Sequence, residues 1–336
     1  MKRKPLKRKH GKRKTTKTTS VELRRLGTEK TNSASVDLDR KSALAIARII
    51  NAEDAKVATA VKGALRQIAQ AIDLIAAALS RGGRLIYVGT GTSGRIAALD
   101  AVECPPTFDV SPRMVQFIIA GGPKALGAAV EANEDSRELG RNIMAQKKPT
   151  KTDVVVGIAA SGRTPFTIAA IKYARAHGAR TVAVVCNPKT LLGAAAHVAI
   201  VADVGAEVVA GSTRMKAGTA QKMILNMLST GAMTRLGYVY GNLMVNLHTK
   251  NEKLLERGVG ILEEAAGLDH AAARELLATA RGRVPVALVM SMAQVSRAQA
   301  VDALERSQGQ VRRAIALAKS GKAGGRMRPP LRENES

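Results

Sequence analysis

Apolar positions follow two different rhythms along this chain. From Ser42 to about Leu79 they recur every three or four residues, which is the spacing of one face of a helix. In the centre, short β-branched runs alternate with helix-length segments, and most of these runs are apolar throughout. Such runs are typical of parallel strands covered on both faces, so the pattern predicts an α/β fold with a doubly wound parallel sheet of about five strands. The candidate strands are Leu85–Val88, Met114–Ile119, Val154–Ile158, Thr181–Val185 and His197–Val201.

The remaining segments are predicted to be helices or tails. Asn51–Asp54 offers polar caps between two N-terminal helices, and a long helix is expected from about Lys216 to Arg235. A small all-helical region is expected from about Asn251 to Lys319. The predicted organisation is a disordered basic tail at 1–25, N-terminal helices at 26–76, an α/β domain at 77–240, a C-terminal helical domain at 241–320 and a second tail at 321–336.

Composition favours a soluble protein of the cytoplasm. No apolar run reaches the ~20 residues that span a bilayer, and the first residues lack the apolar stretch of a secretory signal. Two cysteines, Cys104 and Cys186, are too few for a disulfide framework and fit a reducing compartment, and we expect Cys104 to serve packing. The five histidines are scattered without metal-ligand spacing, so no metal site is expected.

The net charge of +26 divides into +10 at the start of the chain and +16 in the remainder. Ten basic residues lie between Lys2 and Lys17, and no acid precedes Glu22. Such a run repels itself and has little to bury, so we expect a solvated tail or a start codon assigned too far upstream. It would also bind nucleic acid or anionic lipid through counterion release. Because scarce aromatic residues leave no platform for stacking bases, nucleic acid is not expected as the ligand of the rest of the chain.

Three turns next to predicted elements carry the candidate chemistry, because open parallel sheets bind ligands beyond the carboxyl ends of their strands. The first, Gly89–Arg95 (GTGTSGR), opens a helix whose free N–H groups favour an anion. It also matches the G-x-G-x-x-G pattern of dinucleotide sites. Those sites need an acid at the end of the second strand, about 20 residues later, whereas this strand ends in Ile119–Gly122 (IAGG). The sequence therefore disfavours NAD as the ligand of this turn.

The second and third turns add hydroxyl groups and positive charge. Ala159–Pro165 (AASGRTP) follows the third strand and ends in a proline suited to the first turn of a helix. Glu207–Lys216 precedes the long helix. Taken singly, the second turn and the third turn are each an ordinary capped helix start. Next to the first turn, however, these two turns predict a phosphate cradle. The polar side chains that they offer are Ser161, Thr164, Ser212, Thr213 and either Arg214 or Lys216.

Together the three turns resemble the sugar isomerase (SIS) domain, in which loops of this kind hold phosphosugars. SIS domains include isomerases, synthases and regulators, so the resemblance implies a class of ligand rather than a reaction. The implied fold is a SIS-type five-stranded parallel sheet flanked by helices. Carried over onto this sequence, the substrate-binding candidates are Thr92, Ser93, Ser161, Arg163, Thr164, Glu207, Ser212, Thr213 and Lys216.

Longer strings resemble the N-acetylmuramic acid 6-phosphate etherase family. They include GTGTSGRIAALDAVECPPTF at Gly89–Phe108, EANEDS at Glu131–Ser136 and GSTRMKAGTAQK at Gly211–Lys222. The resemblance covers roughly residues 26–317. It implies a homodimer whose neighbouring subunits complete the pocket, and a reaction without metal or organic cofactor. The opening GTEKTNSASVDLD keeps the family pattern only loosely, and we expect it to lie away from the pocket.

The family's chemistry needs an acid and a base. Its members remove the D-lactyl group from C3 of N-acetylmuramate 6-phosphate by elimination followed by addition of water. By resemblance, Glu103 protonates the departing lactate oxygen and Glu134 removes the C2 proton, with Glu131 as the alternative base. The apolar residues before Glu103 and the prolines after it predict burial and a raised pKa for its carboxyl. If neither residue is catalytic, Glu103 is simply an acid at the C-terminus of a helix, and Glu134 lies on a solvent-exposed face.

A non-catalytic phosphosugar sensor is the alternative from another functional class, since SIS domains also serve as regulatory modules. A sensor needs the phosphate turns but not both glutamates. This sequence retains the strings that resemble the etherase family around both Glu103 and Glu134. It therefore favours the enzyme, a carbon–oxygen lyase of cell-wall sugar recovery.

Overall fold

A computed structural model describes residues 26–128, 133–247 and 251–324 of the chain. The predicted basic tail, Glu131 and most of the second predicted tail lie outside these residues. Five parallel strands form one sheet in the order β2-β1-β3-β4-β5, which confirms the predicted doubly wound arrangement. The strands are β1 Leu85–Gly89, β2 Val115–Ile119, β3 Val154–Ile158, β4 Arg180–Val185 and β5 Val198–Val201.

The order of the strands brings two of the candidate turns together. Gly89, the last residue of β1, pairs with Ile119 of β2 on one side and with Ile158 of β3 on the other. Because all three strands are parallel and end in register, the turns that follow β1 and β3 leave the sheet side by side at its carboxyl edge. This is the edge at which doubly wound sheets bind ligands.

Helices cover both faces of the sheet and account for most of the other described residues. The N-terminal run is three helices rather than the predicted two, and Asn51–Asp54 is the last turn of the first helix rather than a cap. Short 3-10 turns at Gly27–Glu29, Ser33–Ser35 and Leu38–Arg40 precede that helix. The helices are α1 Ala43–Asp54, α2 Val57–Lys62, α3 Leu65–Leu79, α4 Gly91–Phe108, α5 Lys124–Gly127, α6 Arg137–Gln146, α7 Pro165–Ala176, α8 Leu191–Ala195, α9 Lys216–Arg235, α10 Glu252–Ala266, α11 His270–Thr279, α12 Val284–Ala293, α13 Arg297–Arg306 and α14 Val311–Gly324.

Each face of the sheet has its own apolar core. Successive residues of a strand point to opposite faces, so Leu85 and Tyr87 of β1 join the core formed with α3, α4 and α9. Ile86 and Val88 join the core formed with α6, α7 and α8. All four side chains are fully buried. This two-sided burial explains why the strands are apolar throughout instead of alternating with polar residues.

The C-terminal helices α10–α14 form a third apolar core, together with Val245 and Leu247. The boundaries that the sequence suggested at 240 and 320 stay predictions. Within the residues that the structure describes, no single helix is both long and apolar enough to cross a membrane. Helices α11 and α12, bent by 111° where they meet, reach the required length and composition only as a pair.

Helices α6 and α7 are in close contact at Gly140. A Cβ atom at Gly140 would lie 2.2 Å from the carbonyl oxygen of Phe166, which is in the first turn of α7. Real Cβ atoms do not approach backbone oxygens this closely, so the helices meet only because residue 140 has no side chain. The contact fixes the start of α7 against α6.

We expect Gly140→Ala to lower the free energy of unfolding by about 2–3 kcal/mol, because backbone must move to admit one methyl group. Urea unfolding followed by circular dichroism measures this. Gly260→Ala is the matched control within α10, where a Cβ atom would meet nothing within 4 Å. That control is expected to stabilise the protein by up to about 1 kcal/mol, since Ala favours helix over Gly. Equal stability of the native chain and Gly140→Ala would contradict the prediction.

Candidate active site

A cavity of about 340 Å³ opens at the carboxyl edge of the sheet. The first and second predicted turns both line it, and the third turn reaches it through Thr213. The lining residues are Glu29, Thr90, Gly91, Thr92, Ser93, Arg95, Ala120, Ala125, Glu134, Ala159, Ala160, Ser161, Thr164 and Thr213. Six of the eleven residues singled out from the sequence are therefore brought together here: Thr92, Ser93, Glu134, Ser161, Thr164 and Thr213.

The first turn presents the start of α4 to the cavity. Gly91 has φ +49°, a left-handed conformation that a glycine adopts without strain, and α4 begins at this residue. The Thr90 side chain does not cap the helix. The Ser93 hydroxyl is nearly buried and donates to Oε1 of Gln221 on α9, at 2.9 Å. Backbone N–H groups and hydroxyls therefore face the cavity at the positive end of a helix dipole.

The second turn brings the start of α7 to the same cavity. Pro165 is the first residue of α7, and the hydroxyl of Thr164 makes no capping hydrogen bond. Ser161 lines the cavity and accepts a hydrogen bond from the backbone N–H of Arg163 at 3.2 Å. Arg163 itself is not among the lining residues. Two helix starts on adjacent strands thus share one cavity, as the phosphate-cradle prediction requires.

Glu134 lies between these two turns. Its backbone carbonyl accepts a hydrogen bond from the N–H of Phe166 in α7, at 3.1 Å. Its Oε1 atom lies 3.2 Å from the position that a Cβ atom at Gly91 would occupy. The carboxyl group therefore sits directly beside the first turn, on a segment that is anchored to the second. The predicted alternative base, Glu131, falls outside the described residues.

In the third turn, the side chains of Glu207 and Lys216 form hydrogen bonds and an ion pair within the protein. Glu207 is fully buried and accepts hydrogen bonds from the backbone N–H groups of Lys216 and Ala217, both at 3.0 Å, which caps the start of α9. Burial raises the pKa of the Glu207 carboxyl, against the lowering effect of these N–H groups. The Lys216 ammonium, 2% exposed, pairs with Oε2 of Glu53 on α1 at 2.6 Å. Neither these two side chains nor Ser212 line the cavity, and their predicted contact with substrate stays a prediction.

Two charged lining residues, Arg95 and Glu29, are not among the candidates that the sequence predicts. Arg95 ends the first turn, and its guanidinium donates to the carbonyls of Leu126 at 3.3 Å and Ala128 at 2.7 Å. Glu29 lies in the opening segment that was expected to stay away from the pocket, and that expectation is wrong. Nothing local in the sequence marks Glu29, because the contacts that hold its segment in place come from residues far along the chain.

Comparisons with known proteins show the family of this chain. Two family models match: the glucokinase regulatory protein N-terminal SIS domain over residues 67–175 and the SIS domain over residues 144–231. A solved phosphoheptose isomerase from Francisella tularensis aligns with a TM-score of 0.46 and 17% identity, over 58% of this chain and all of its own. N-acetylmuramic acid 6-phosphate etherases of Clostridium beijerinckii and Symbiobacterium thermophilum are 47% and 55% identical, covering 88% and 82% of this chain and 97% and 91% of their own. The chain belongs to the N-acetylmuramic acid 6-phosphate etherase family.

In this etherase-family chain, Glu103 does not line the cavity. It lies on α4 twelve residues after Gly91, about 18 Å further along the helix axis at ~1.5 Å per residue. The expected burial is wrong within the single chain: the Glu103 side chain is exposed. The apolar residues that suggested burial, Leu99 and Val102, are themselves 48% and 54% exposed. Glu103 therefore stands on an uncovered apolar face of α4.

No metal centre is evident in the etherase-family fold as far as it is described: residues 26–128, 133–247 and 251–324 contain no group of three His, Cys, Asp or Glu that could hold a metal ion. Cys104 is buried and its thiol donates to the carbonyl of Asp100 at 3.2 Å. Burial raises the pKa of this thiol to about 12, so it is a packing group rather than a nucleophile.

In this etherase-family chain, a buried carboxyl group joins α4 to the sheet and to α9. Asp100 accepts hydrogen bonds from the Tyr87 hydroxyl of β1 at 2.8 Å and from the Ser229 hydroxyl of α9 at 3.0 Å. Burial raises its pKa to about 6, although both hydrogen bonds act in the opposite direction. Strand β1 and helices α4 and α9 therefore meet at one titratable group.

Asp100 should make folding depend on pH between about 4 and 7. A carboxyl with a raised pKa binds its proton more tightly in the folded state, so its stabilising contribution is full below about pH 4 and is lost as the pH rises through about 6. The loss should be about 3 kcal/mol. We expect the stability of the native chain relative to Asp100→Asn to fall by that amount across this range, measured by urea unfolding. Asp73→Asn, which changes an exposed carboxylate of α3, should show no such trend. A relative stability that is independent of pH would contradict the prediction.

Proposed function

We propose that this chain cleaves the D-lactyl ether of N-acetylmuramate 6-phosphate and releases D-lactate and N-acetylglucosamine 6-phosphate. The relatives that match over most of its length are named N-acetylmuramic acid 6-phosphate etherases. The observation that carries the proposal is a single cavity that unites two phosphate-type turns with the carboxyl group of Glu134. The reaction would make the protein a carbon–oxygen lyase of cytoplasmic cell-wall sugar recovery.

The phosphate of the substrate is expected at the starts of α4 and α7. Both helices begin at the cavity, where the first-turn N–H groups of α4 favour a dianion. In α7, Pro165 has no N–H and the Phe166 N–H donates to the Glu134 carbonyl, so the second turn contributes hydroxyls. The hydroxyls of Thr92, Ser161 and Thr164 add further donors. The volume of about 340 Å³ lies at the small end of the ~300–1,000 Å³ typical of ligand pockets, which suits one sugar phosphate.

Glu134 is the proposed base. In the open-chain form of the sugar, the C1 aldehyde acidifies the proton on C2. Glu134 removes that proton, the electron pair forms a C2–C3 double bond, and the C3–oxygen bond breaks as the lactate oxygen takes a proton from the acid. Water then adds at C3 and a proton returns to C2, which restores a saturated sugar. A pair of positioned carboxyls carries all of these proton transfers.

Glu103 of a second copy is the proposed acid. Within one chain it is too far from the cavity, and it is flanked by the exposed apolar side chains of Leu99 and Val102. Large exposed apolar side chains on one helix face are typical of a surface that a partner covers. A homodimer that buried this face of α4 would carry Glu103 into an interface. The family resemblance implies the same arrangement, in which neighbouring subunits complete the pocket.

The alternative function is a phosphosugar sensor without catalysis. The match to the glucokinase regulatory protein SIS model over residues 67–175 is the observation that favours it. A sensor does not need a carboxyl group beside its phosphate turn, whereas this cavity contains Glu134.

The deciding experiment incubates the purified chain with N-acetylmuramate 6-phosphate in deuterated water. NMR follows the release of D-lactate and the incorporation of deuterium at C2, for the native chain and for Glu103→Gln. The proposal expects lactate and deuterium from the native chain, and C2 exchange without lactate from the variant. Tight binding of the phosphosugar with neither lactate nor exchange would reject the etherase and support the sensor.

A further inference from the structure

The cavity contains a second carboxyl group besides the one assigned as base. Oε1 of Glu134 lies beside Gly91 of the first turn, whereas Oε2 of Glu29 lies 3.5 Å from where a Cβ atom at Gly211 would stand, at the third turn. Both glutamates line the cavity. Glu29 comes from the opening segment of the described chain, which precedes every helix and strand of the sheet domain.

Buried hydrogen bonds fix the segment that carries Glu29. Thr28 is fully buried; its N–H donates to Oδ1 of Asn187 at 3.4 Å, and its hydroxyl accepts from Nδ2 of Asn187 at 3.0 Å. The same Nδ2 donates to the carbonyl of Ala160, which adjoins Ser161 in the second turn. The N–H of Gly211 donates to the carbonyl of Thr28 at 3.2 Å. The residue before Glu29 is therefore tied to both the second and the third turn.

The rest of the opening segment is held along the same edge. Nδ2 of Asn32 donates to the carbonyl of Ala206 at 3.1 Å, and the hydroxyl of Ser35 donates to the carbonyl of Val208 at 2.7 Å. Each of these bonds spans more than 170 residues of sequence. Ordering a chain segment costs conformational entropy that such contacts must offset. The segment is thus a fixed wall of the cavity, and Glu29 is the charged group that it presents.

The charge of Glu29 decides which part of a ligand it faces. A carboxylate repels a phosphate dianion, and it has no N–H or O–H with which to donate. The phosphate belongs at the starts of α4 and α7, where the first-turn N–H groups of α4 and the hydroxyls of both turns converge. The carboxylate oxygens suit the opposite end of a phosphosugar, where hydroxyl and amide groups donate hydrogen bonds.

We propose that Glu29 is a specificity-determining residue that binds the sugar end of the phosphosugar. Its carboxylate accepts hydrogen bonds from hydroxyl or N-acetyl amide groups and orients the C2–C3 bond towards Glu134. The inference rests on the proposed function, because it takes the ligand to be a phosphorylated amino sugar. Glu29 is not among the substrate-binding residues that the sequence motifs or the family resemblance indicate.

Calorimetric binding tests the inference without requiring turnover. Glu29→Gln is expected to weaken the binding of N-acetylglucosamine 6-phosphate about ten- to hundredfold, because hydrogen bonds to a charged acceptor are lost or weakened. Binding of inorganic phosphate should be unchanged or slightly tighter. Asp39→Asn is the matched control: it removes an exposed carboxylate from the same segment and should alter neither affinity. Thermal unfolding should give the same midpoint for the native chain and for Glu29→Gln.

The outcomes separate this inference from the proposed function. If the native chain binds N-acetylglucosamine 6-phosphate but releases no lactate from the ether substrate, the proposed function fails while the role of Glu29 is still measured. If Glu29→Gln binds the sugar phosphate as tightly as the native chain, the inference is overturned even when lactate is released. Equal weakening for the sugar phosphate and for inorganic phosphate would also overturn it, since Glu29 would then act on the phosphate end.

Discussion

Glu134→Gln is expected to reduce D-lactate release by about 10³-fold and to abolish deuterium exchange at C2. Glutamine keeps the shape of the side chain and cannot accept the C2 proton. The backbone contact between the Glu134 carbonyl and the Phe166 N–H does not involve the side chain, so the cavity should keep its form. NMR in deuterated water measures both losses, and binding of N-acetylglucosamine 6-phosphate should fall far less than turnover.

Glu138→Gln is the matched control for this variant. Glu138 lies in the first turn of α6, four residues further on, and its side chain is exposed and absent from the cavity lining. It should keep native rates of exchange and lactate release. If instead Glu134→Gln retained C2 exchange, the base would be another group, and Glu131 would be the next residue to change.

The same variant tests whether two chains build one pocket. Glu134→Gln and Glu103→Gln are each expected to be inactive in lactate release. If the acid comes from the neighbouring subunit, refolding an equal mixture of the two variants should restore about a quarter of native activity, because half of the dimers contain one intact pocket. If both glutamates served the same subunit's pocket, no mixture would recover activity. The experiment therefore distinguishes the two arrangements without a structure of the assembly.

The sheet and its turns were predictable because their signals are local. Apolar runs such as Val154–Ile158 are continuous since both faces of the sheet are covered, and this is readable from a few residues. The turns at Gly91 and Ser161 follow those runs directly, and parallel pairing then brings them to one edge. Strand ends matched their predictions to within a residue, and the cavity formed where the strand order placed it.

Pairings between distant residues were not predictable. Glu29 reaches the cavity because Thr28 bonds to Asn187, 159 positions later, and a single sequence carries no signal for such a pair. The interpretation of Glu103 failed for a related reason. Leu99 and Val102 were taken to bury it, but an apolar side chain on a helix does not say whether the same chain or another one covers it. The polar run Asn51–Asp54 predicts a side-chain cap between two helices, but it is the last turn of α1, and Glu53 within it is 3% exposed because it pairs with the distant Lys216.

Lys216→Met is expected to lower the free energy of unfolding by about 3–5 kcal/mol, the usual result of breaking a buried ion pair from one side. The Lys216 ammonium and the Glu53 carboxylate are almost completely buried and lie 2.6 Å apart. Burial alone would raise the pKa of Glu53, but hydrogen bonds from Lys216 and Lys56 lower it to about 2. Removing Lys216 leaves that carboxylate with the largely exposed Lys56 as its partner. Urea unfolding at neutral pH measures the loss.

Two further variants decide whether Lys216 is a structural residue or the substrate contact that the sequence suggested. Replacing both partners, in Glu53→Gln with Lys216→Met, should recover most of the lost stability because no buried charge is left unpaired. Lys222→Met, an exposed site on α9, should change stability by less than about 0.5 kcal/mol. If Lys216→Met unfolded like the native chain but no longer bound N-acetylglucosamine 6-phosphate, the ammonium would serve the ligand and not the fold. The lowered pKa of Glu53 gives a second test. The contribution of the ionised Glu53 carboxyl to the free energy of unfolding is present above about pH 4.5 and is lost as the pH falls towards 2. This loss of stability in acid should be much smaller in the double variant, which lacks the carboxyl group.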